Sequence, residues 1–309
     1  MSTITAIRSA NTALESEHSS LTAVFVGATS GIGLATLQAF AKHVPLPRAF
    51  VVGRSRATFQ PSLDQLHEIN PAGTYTFIES DISLLKNVDT VSEQIRTLIN
   101  HGNREIDLLF LSQGYISFAG REDNADALDN SVSLRYYTRL RFTQNLLPLT
   151  SQNARIVSVL AGGKEGNLFE DDLDLKQNYS VGNAAAQFAT MTTLSFDALA
   201  GHYPEKAFIH VFPGLTSTGL LGRSAKGLLG VVMRWVLEPA ISLFASRPED
   251  VGERMLYYAT AEDFANGSLS LDWDGTSKEN EALERYRRQG VASKVVLHNA
   301  AVFDATCSR

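Results

Sequence analysis

The sequence contains a single cysteine, Cys307, among 309 residues. One thiol can form neither an intramolecular disulfide nor a zinc site built on cysteines. Positive charge is also scarce, because 27 Lys and Arg residues face 33 Asp and Glu residues and the net charge is −6. Nucleic-acid binding needs clustered basic side chains. We therefore expect no nucleic-acid partner.

Long apolar segments are missing as well. Residues 1–20 are polar and have no apolar core of the kind that a secretory signal carries. The most apolar stretch, residues 228–245, is interrupted by Arg234, Glu238 and Pro239 and is too short to span a bilayer. The seven histidines include no pair at metal-ligand spacing. These absences predict a cytoplasmic protein with no integral membrane span and no metal.

Short apolar runs instead alternate with segments of 3.6-residue periodicity. Continuous runs of Val, Ile, Leu and Phe indicate strands that are buried on both faces of a sheet. The predicted strands are 23–26, 49–52, 74–78, 107–111, 155–160, 207–212 and 268–273, and the predicted helices are 32–42, 84–99, 128–147, 183–200 and 249–259. This alternation predicts an α/β protein with one Rossmann domain, in which a doubly wound parallel sheet of about seven strands has helices on both faces.

The domain is expected to occupy residues 21–276, with a helical lid at 220–245. A polar N-terminal arm, residues 1–20, precedes it. Residues 277–309 are expected to form a C-terminal helix and tail. This segment is amphipathic around Leu283, Tyr286, Val291 and Val295, so it could cover the sheet edge or a partner.

A glycine-rich loop follows the first predicted strand and opens a helix. Glycines there let the backbone approach a pyrophosphate, and the helix N-terminus offers free N–H groups and a positive dipole end. The loop predicts a dinucleotide site that includes Gly27, Thr29, Ser30, Gly31, Ile32 and Gly33.

The second predicted strand ends in Arg54, without the acidic residue that holds the ribose in NAD proteins. A guanidinium at this point can bind a 2′-phosphate, so we predict NADP(H) as the cofactor. The alternative is that Arg54 and Arg56 only solvate a loop.

The spacing Gly-x-x-x-Gly-x-Gly resembles that of the short-chain dehydrogenase/reductase family, and the resemblance extends over about residues 21–273. More narrowly, the chain looks like a divergent fungal branch associated with secondary metabolism. The resemblance implies that Asp81 and Ile82 hold the adenine, and that Pro213, Gly214 and Thr218 surround the nicotinamide carboxamide. It also places Ser112 and Gly114 at the cofactor, where the family's Asn-Asn-Ala-Gly stretch is replaced by Leu-Ser-Gln-Gly.

The same resemblance implies an Asn-Ser-Tyr-Lys catalytic tetrad, of which the sequence keeps only the tyrosine, Tyr179. Asn183 stands at the lysine position, Ala161 at the serine position and Arg135 at the asparagine position. Asparagine carries no charge to stabilise a phenolate, whereas the guanidinium of Arg135 is always protonated. The predicted catalytic residues are therefore Tyr179, Arg135 and Asn183.

Three functions fit this pattern. In the first, Arg135 lowers the pKa of Tyr179 or binds a substrate oxyanion. The chain is then an NADP(H)-dependent oxidoreductase for a bulky apolar carbonyl or alcohol of polyketide or terpenoid type, held with Ala161 under a lid containing Trp235. In the second, the pocket performs a non-redox cyclisation or isomerisation with NADP(H) as a scaffold. The third is a cofactor-binding pseudoenzyme.

Two site residues also have structural interpretations. Arg135 could pair with Glu122, Asp123 or Asp126 at a helix that often forms a dimer interface in the family, so a homo-oligomer is possible. Asn183 could bind a ribose or only cap its helix.

Overall fold

The computed structural model describes residues 3–17, 20–102, 104–118, 120–216, 245–278 and 280–307. Its seven strands are β1 Ser20–Val26, β2 Leu46–Gly53, β3 Thr74–Glu79, β4 Ile106–Leu111, β5 Thr150–Val159, β6 Ala207–Val211 and β7 Gly267–Leu271. All pair in parallel, in the order β3-β2-β1-β4-β5-β6-β7. The predicted doubly wound Rossmann fold is confirmed.

Helices cover both faces of this sheet. They are α1 Ile4–Glu17, α2 Gly31–His43, α3 Arg56–Ile69, α4 Leu85–His101, α5 Asn130–Val132, α6 Thr138–Leu146, α7 Val181–His202, α8 Pro248–Thr260, α9 Glu281–Arg288 and α10 Val291–Cys307, with a π-helical turn, Ser133–Tyr137, between α5 and α6. Alternate strand residues point to opposite faces. Val24 and Val26 pack against α4–α7, α9 and α10, whereas Ala23 and Phe25 pack against α1–α3 and α8.

The N-terminal segment differs from its prediction. Residues 4–17 of the expected polar arm form α1, which buries Ile7, Asn11 and Leu14. The sequence did not predict this helix because each turn buries only one residue, and one of these residues, Asn11, is polar. At the other end, α10 packs against α4 and α7. The start of the C-terminal segment also lies along the sheet edge, because Ser277 pairs with Leu271 of β7 and the Lys278 N–H donates to the carbonyl of Ser270 over 2.9 Å.

Within the described ranges, no helix is long and apolar enough to cross a membrane. Thr218, Trp235 and residues 220–244 of the expected lid lie outside these ranges.

Candidate active site

The glycine loop lies at the carboxyl edge of the sheet and has no room for side chains. Gly27 and Gly31 have φ angles of +83° and +59°, which only glycine adopts readily. A Cβ on Gly27 would collide with the backbone nitrogen of Gln113, and one on Gly33 would lie 2.7 Å from the carbonyl oxygen of Gly27. The loop is therefore packed tightly against the end of β4.

The first turn of α2 suits an anionic ligand. It contains no acidic residue, and the Ser30 side chain forms no capping hydrogen bond with the helix. The N–H groups of this turn have no partner within the helix, so they present a partial positive charge at the edge of the sheet. These features fit the diphosphate of a dinucleotide. Ser112 supports the loop from behind, because its hydroxyl lies 3.3 Å from the carbonyl oxygen of Val26 and 3.2 Å from that of Gly27.

The two arginines after β2 differ in their environments. Arg54 is exposed and forms no hydrogen bond with any described residue. Arg56 donates from its side chain to the carbonyl of Phe77 and from its N–H to the Glu79 carboxylate, 2.5 and 2.8 Å away. Arg54 therefore has the free charge that a 2′-phosphate needs, whereas Arg56 holds β3. Sequence reasoning missed Glu79, although the pairing of Gly53 with Glu79 brings it to this edge.

The remaining predicted cofactor positions flank the loop. Asp81 is exposed and accepts a hydrogen bond from the Ser83 N–H over 3.1 Å, while Ile82 is buried in the core. After β6, Gly214 has a φ angle of +77°, and a Cβ there would lie 3.0 Å from the Cβ of Trp273. Pro213 precedes it at the same edge.

Arg135 lies on the π-helical turn between α5 and α6. Such turns shift the side-chain register of a helix and are common at functional sites. Gly114, with a φ angle of +152°, makes room for it, because a Cβ at this position would lie 2.8 Å from Cγ of Arg135. The buried rings of Tyr136 and Tyr137 anchor the turn on its other side. The backbone that follows β4 thus determines the path of the aliphatic part of the Arg135 side chain.

The acidic residues proposed as structural partners of Arg135 are occupied elsewhere. Asp123 pairs with Arg121 over 2.8 Å, and Asp126 accepts the N–H of Leu85, also over 2.8 Å. Neither these residues nor Glu122 forms an ion pair with Arg135 in the part of the chain that the structure describes. Pairing of Arg135 with these carboxylates inside one chain is therefore not seen among the described residues, and pairing across a dimer interface stays a prediction.

Tyr179 and Arg135 lie within electrostatic range of each other at this edge of the sheet. Burial raises the pKa of Tyr179, and the Asp129 carboxylate raises it further, while Arg135 acts in the opposite direction. Arg135 therefore has the predicted effect on the phenol, but burial outweighs it. Burial also raises the pKa of Tyr115, a second phenol near Tyr179. Both phenols are protonated at neutral pH and can donate a hydrogen bond.

Asn183 helps to build the start of α7. Its backbone N–H donates to the Ser180 hydroxyl over 3.0 Å, and its side-chain amide donates to the carbonyl of Asn178 over 2.7 Å. Of the two interpretations given above, this geometry matches capping. The amide oxygen and the second amide N–H form no hydrogen bond with any described residue and could still bond to a ribose.

Ala161 offers no side chain to a substrate, but its backbone is held firmly. Its N–H donates to Nε2 of the buried His210 over 3.0 Å. That contact requires a neutral imidazole with its proton on Nδ1, which lies 2.8 Å from the Thr193 hydroxyl. Burial lowers the pKa of His210, in keeping with the neutral form. Thr193 in turn donates to Glu165 over 2.6 Å. This network fixes the loop after β5.

Sequence reasoning also missed Arg139, which is buried beneath Arg135. It donates to the Ser158 hydroxyl and the Val159 carbonyl, both over 2.8 Å, and to the carbonyl of Gln113. Burial and the nearby charge of Arg135 lower the pKa of Arg139 to about 9. The spacing of four residues from Arg135 was the available signal.

The described ranges contain no group of three His, Cys, Asp or Glu side chains able to hold a metal ion.

Comparisons with known proteins agree with this geometry. The model for short chain dehydrogenases matches residues 21–169. The chain is 34% identical to Oxidoreductase AN1596 of Emericella nidulans, with 94% of each chain covered. It is 39% identical to the NmrA-like family domain-containing oxidoreductase notO of an Aspergillus species, with 98% of this chain and 95% of the relative covered. The angucycline C-6 ketoreductase LanV, solved with bound NADP, shares the fold with a TM-score of 0.61 at 15% identity, over 83% of this chain and 96% of that one.

Proposed function

The chain belongs to the short-chain dehydrogenase/reductase family, and from that premise we propose that it is an NADP(H)-dependent oxidoreductase for a bulky apolar carbonyl or alcohol. The observation that carries the proposal is the placement of Arg135 and Tyr179 together, beside a loop suited to a dinucleotide. Relatives of the chain are named oxidoreductases, and LanV is an angucycline C-6 ketoreductase.

Each residue in this proposal has a separate task. The N–H groups of the α2 turn bind the diphosphate, and Arg54 binds the 2′-phosphate. When bound, the nicotinamide supplies or accepts the hydride. The Tyr179 hydroxyl donates its proton to the oxygen of the reacting carbonyl, which needs the protonated phenol that burial favours. Arg135 stabilises the negative charge that develops on that oxygen. In this scheme the guanidinium takes over the electrostatic work of the family's lysine.

A second candidate is non-redox isomerisation or cyclisation with NADP(H) as scaffold. It is favoured by the raised pKa of Tyr179, because a protonated phenol and a guanidinium suffice to polarise a carbonyl without hydride transfer.

The two candidates are separated by isotope transfer. Purified protein is incubated with NADPH deuterated at the transferable position and a panel of polycyclic and terpenoid ketones. Oxidation of NADPH together with deuterium on the new carbinol carbon supports the oxidoreductase. Conversion of a ketone at an unchanged oxidation level supports the isomerase. Tight binding of NADPH with no conversion across the panel contradicts both and favours a pseudoenzyme.

A further inference from the structure

The guanidinium of Arg135 has no partner of its own in the described part of the chain. It forms no hydrogen bond or ion pair there, yet its side chain is only partly exposed. The carboxylate that acts on its charge, Asp129, accepts the N–H of Glu122 with one oxygen and the N–H of Val132 with the other, over 2.8 and 2.9 Å. A cation held partly out of water without a bonded anion is costly. An anionic ligand bound to Arg135 would therefore offset the cost of holding this charge partly out of water.

Two neighbouring arginines on the same helical stretch do have hydrogen-bond partners, so among the described arginines of this stretch the lack of a partner is specific to Arg135. Arg141, on the same helical stretch, forms two hydrogen bonds with Asp89 over 2.6 and 2.9 Å. Arg139 donates to three oxygens, all of them neutral, and its buried Nε has no partner among the described residues. Its charge is not cancelled by those contacts and adds to that of Arg135. Among the described residues, the charges of Arg135 and Arg139 thus lie close together, while both oxygens of the Asp129 carboxylate that acts on Arg135 are already hydrogen-bonded.

Two phenol hydroxyls at this edge of the sheet can donate hydrogen bonds to a ligand. Tyr115 and Tyr179 are partly buried, and neither hydroxyl has a hydrogen-bond partner among the residues described. Each phenol is in its protonated form. A guanidinium has five N–H donors and no acceptor. The site is therefore rich in donors, carries excess positive charge, and matches a ligand with clustered, negatively charged acceptors.

We propose that the substrate carries an ionised oxygen conjugated with the reacting carbonyl, as in an enolised 1,3-dicarbonyl or a phenol ortho to a ketone, and that Arg135 binds this oxyanion with help from Tyr115 and Tyr179. The inference rests on the proposed function for the identity of the reacting carbonyl. A delocalised oxyanion suits the site better than a carboxylate does, because its spread charge costs less to remove from water.

The test uses 4-nitrophenol as a probe in the complex of the protein with NADP⁺, where no hydride can be transferred to it. Its ionisation is followed by the absorbance of the phenolate. The bound probe is expected to ionise at lower pH than the free probe. Arg135→Gln should abolish that shift and weaken phenolate binding about 10- to 100-fold, as expected for loss of a charge-assisted hydrogen bond. Arg135→Lys should restore part of the shift.

Matched controls make the result specific. Arg141→Gln removes a guanidinium that is already paired with Asp89 and should leave the probe unaffected. The methyl ether, 4-nitroanisole, should bind equally to the native protein and to Arg135→Gln. NADP⁺ affinity, measured on every variant, reports whether the fold is intact.

Three results would overturn the proposal: no binding of the phenol, binding without a change in its ionisation, or an equal change in Arg135→Gln. Competition by benzoate as strong as that of the phenol would also overturn it, since the site would then be a general carboxylate site. Failure here is distinguishable from failure of the proposed function. Ketone turnover with no oxyanion binding removes only the present inference, while oxyanion binding without any deuterium transfer removes only the oxidoreductase.

Discussion

The two halves of the carboxyl edge of the sheet are built in different ways. The half around β1, β2 and α2 works through the backbone, since its glycines and N–H groups make the ligand cradle. The half around β4, β5 and α7 works through side chains, and three of the four positions implied by the family pattern have changed. A site built from backbone N–H groups tolerates few substitutions, because a side chain on one of its glycines would displace the groups that bind the ligand. A side-chain site can be rebuilt if charge and hydrogen-bond donors are restored, as Arg135 illustrates.

The largest expected effect is on the cofactor half. Gly27→Ala combines a positive φ angle with a collision against Gln113, so the loop must move away from β4. We expect NADPH affinity to fall about 100-fold, from a strain of roughly 1–3 kcal/mol and the resulting displacement. Fluorescence titration of NADPH measures this. Gly201→Ala, where a Cβ would meet nothing within 4 Å, is the control and should bind normally. Equal affinity in the two variants would show that the loop does not contact the cofactor.

The opposite half is tested by Tyr179→Phe, which should lower kcat by about 10²- to 10⁴-fold while NADPH affinity stays unchanged. The pH profile sharpens the point. Because the pKa of Tyr179 is raised, the proton-donating form persists as pH rises through the ordinary range of a tyrosine. We therefore expect ketone reduction to keep its rate up to about pH 10. A fall in kcat as pH rises above neutral in the native protein, absent from Tyr179→Phe, would mean that the phenol loses its proton near neutral pH and would contradict this expectation.

A smaller effect is expected from Arg54→Gln at the outer end of the cofactor half. Removing this exposed guanidinium directly after β2 should weaken NADPH binding about 10-fold and leave NADH binding unchanged. Parallel titrations with both cofactors check this. If NADH binds the native protein more tightly than NADPH, the cofactor assignment is wrong.

The smallest effect on catalysis is expected from Tyr137→Phe, which removes a contact between α10 and the turn that carries Arg135. The Tyr137 hydroxyl donates to Asp174 over 2.5 Å and lies 2.9 Å from Nε2 of His298 on α10, which braces the turn that carries Arg135. Tyr137→Phe should lower stability by about 1–3 kcal/mol and kcat by only several-fold. NADPH affinity should not change, because the glycine loop lies outside this network. Tyr257→Phe, whose exposed hydroxyl makes a single 3.4 Å bond to Asp263, is the control. A loss of NADPH affinity in Tyr137→Phe would show that the halves are coupled.

What could be predicted from sequence follows the same division. The seven strands and the glycine loop were predictable because apolar runs and glycine spacing are local signals. Arg135 and Tyr179 were found only through the family pattern. Glu79, Asp129 and Arg139 were missed because their positions depend on strand register and on helix packing, which no short segment encodes. The helix α1 was missed because its few buried residues are diluted by polar ones.

The central claim is that a cofactor half built from the glycine loop serves a substrate half rebuilt around Arg135. Its most direct test is to measure, in Arg135→Met, both the Kd for NADPH and the rate of hydride transfer to a ketone reduced by the native protein. The account predicts a Kd within about twofold of the native value and hydride transfer slowed by about 10²- to 10³-fold, as for loss of an oxyanion-stabilising donor. Hydride transfer at the native rate, or a Kd that rises in proportion to the loss of rate, would contradict it.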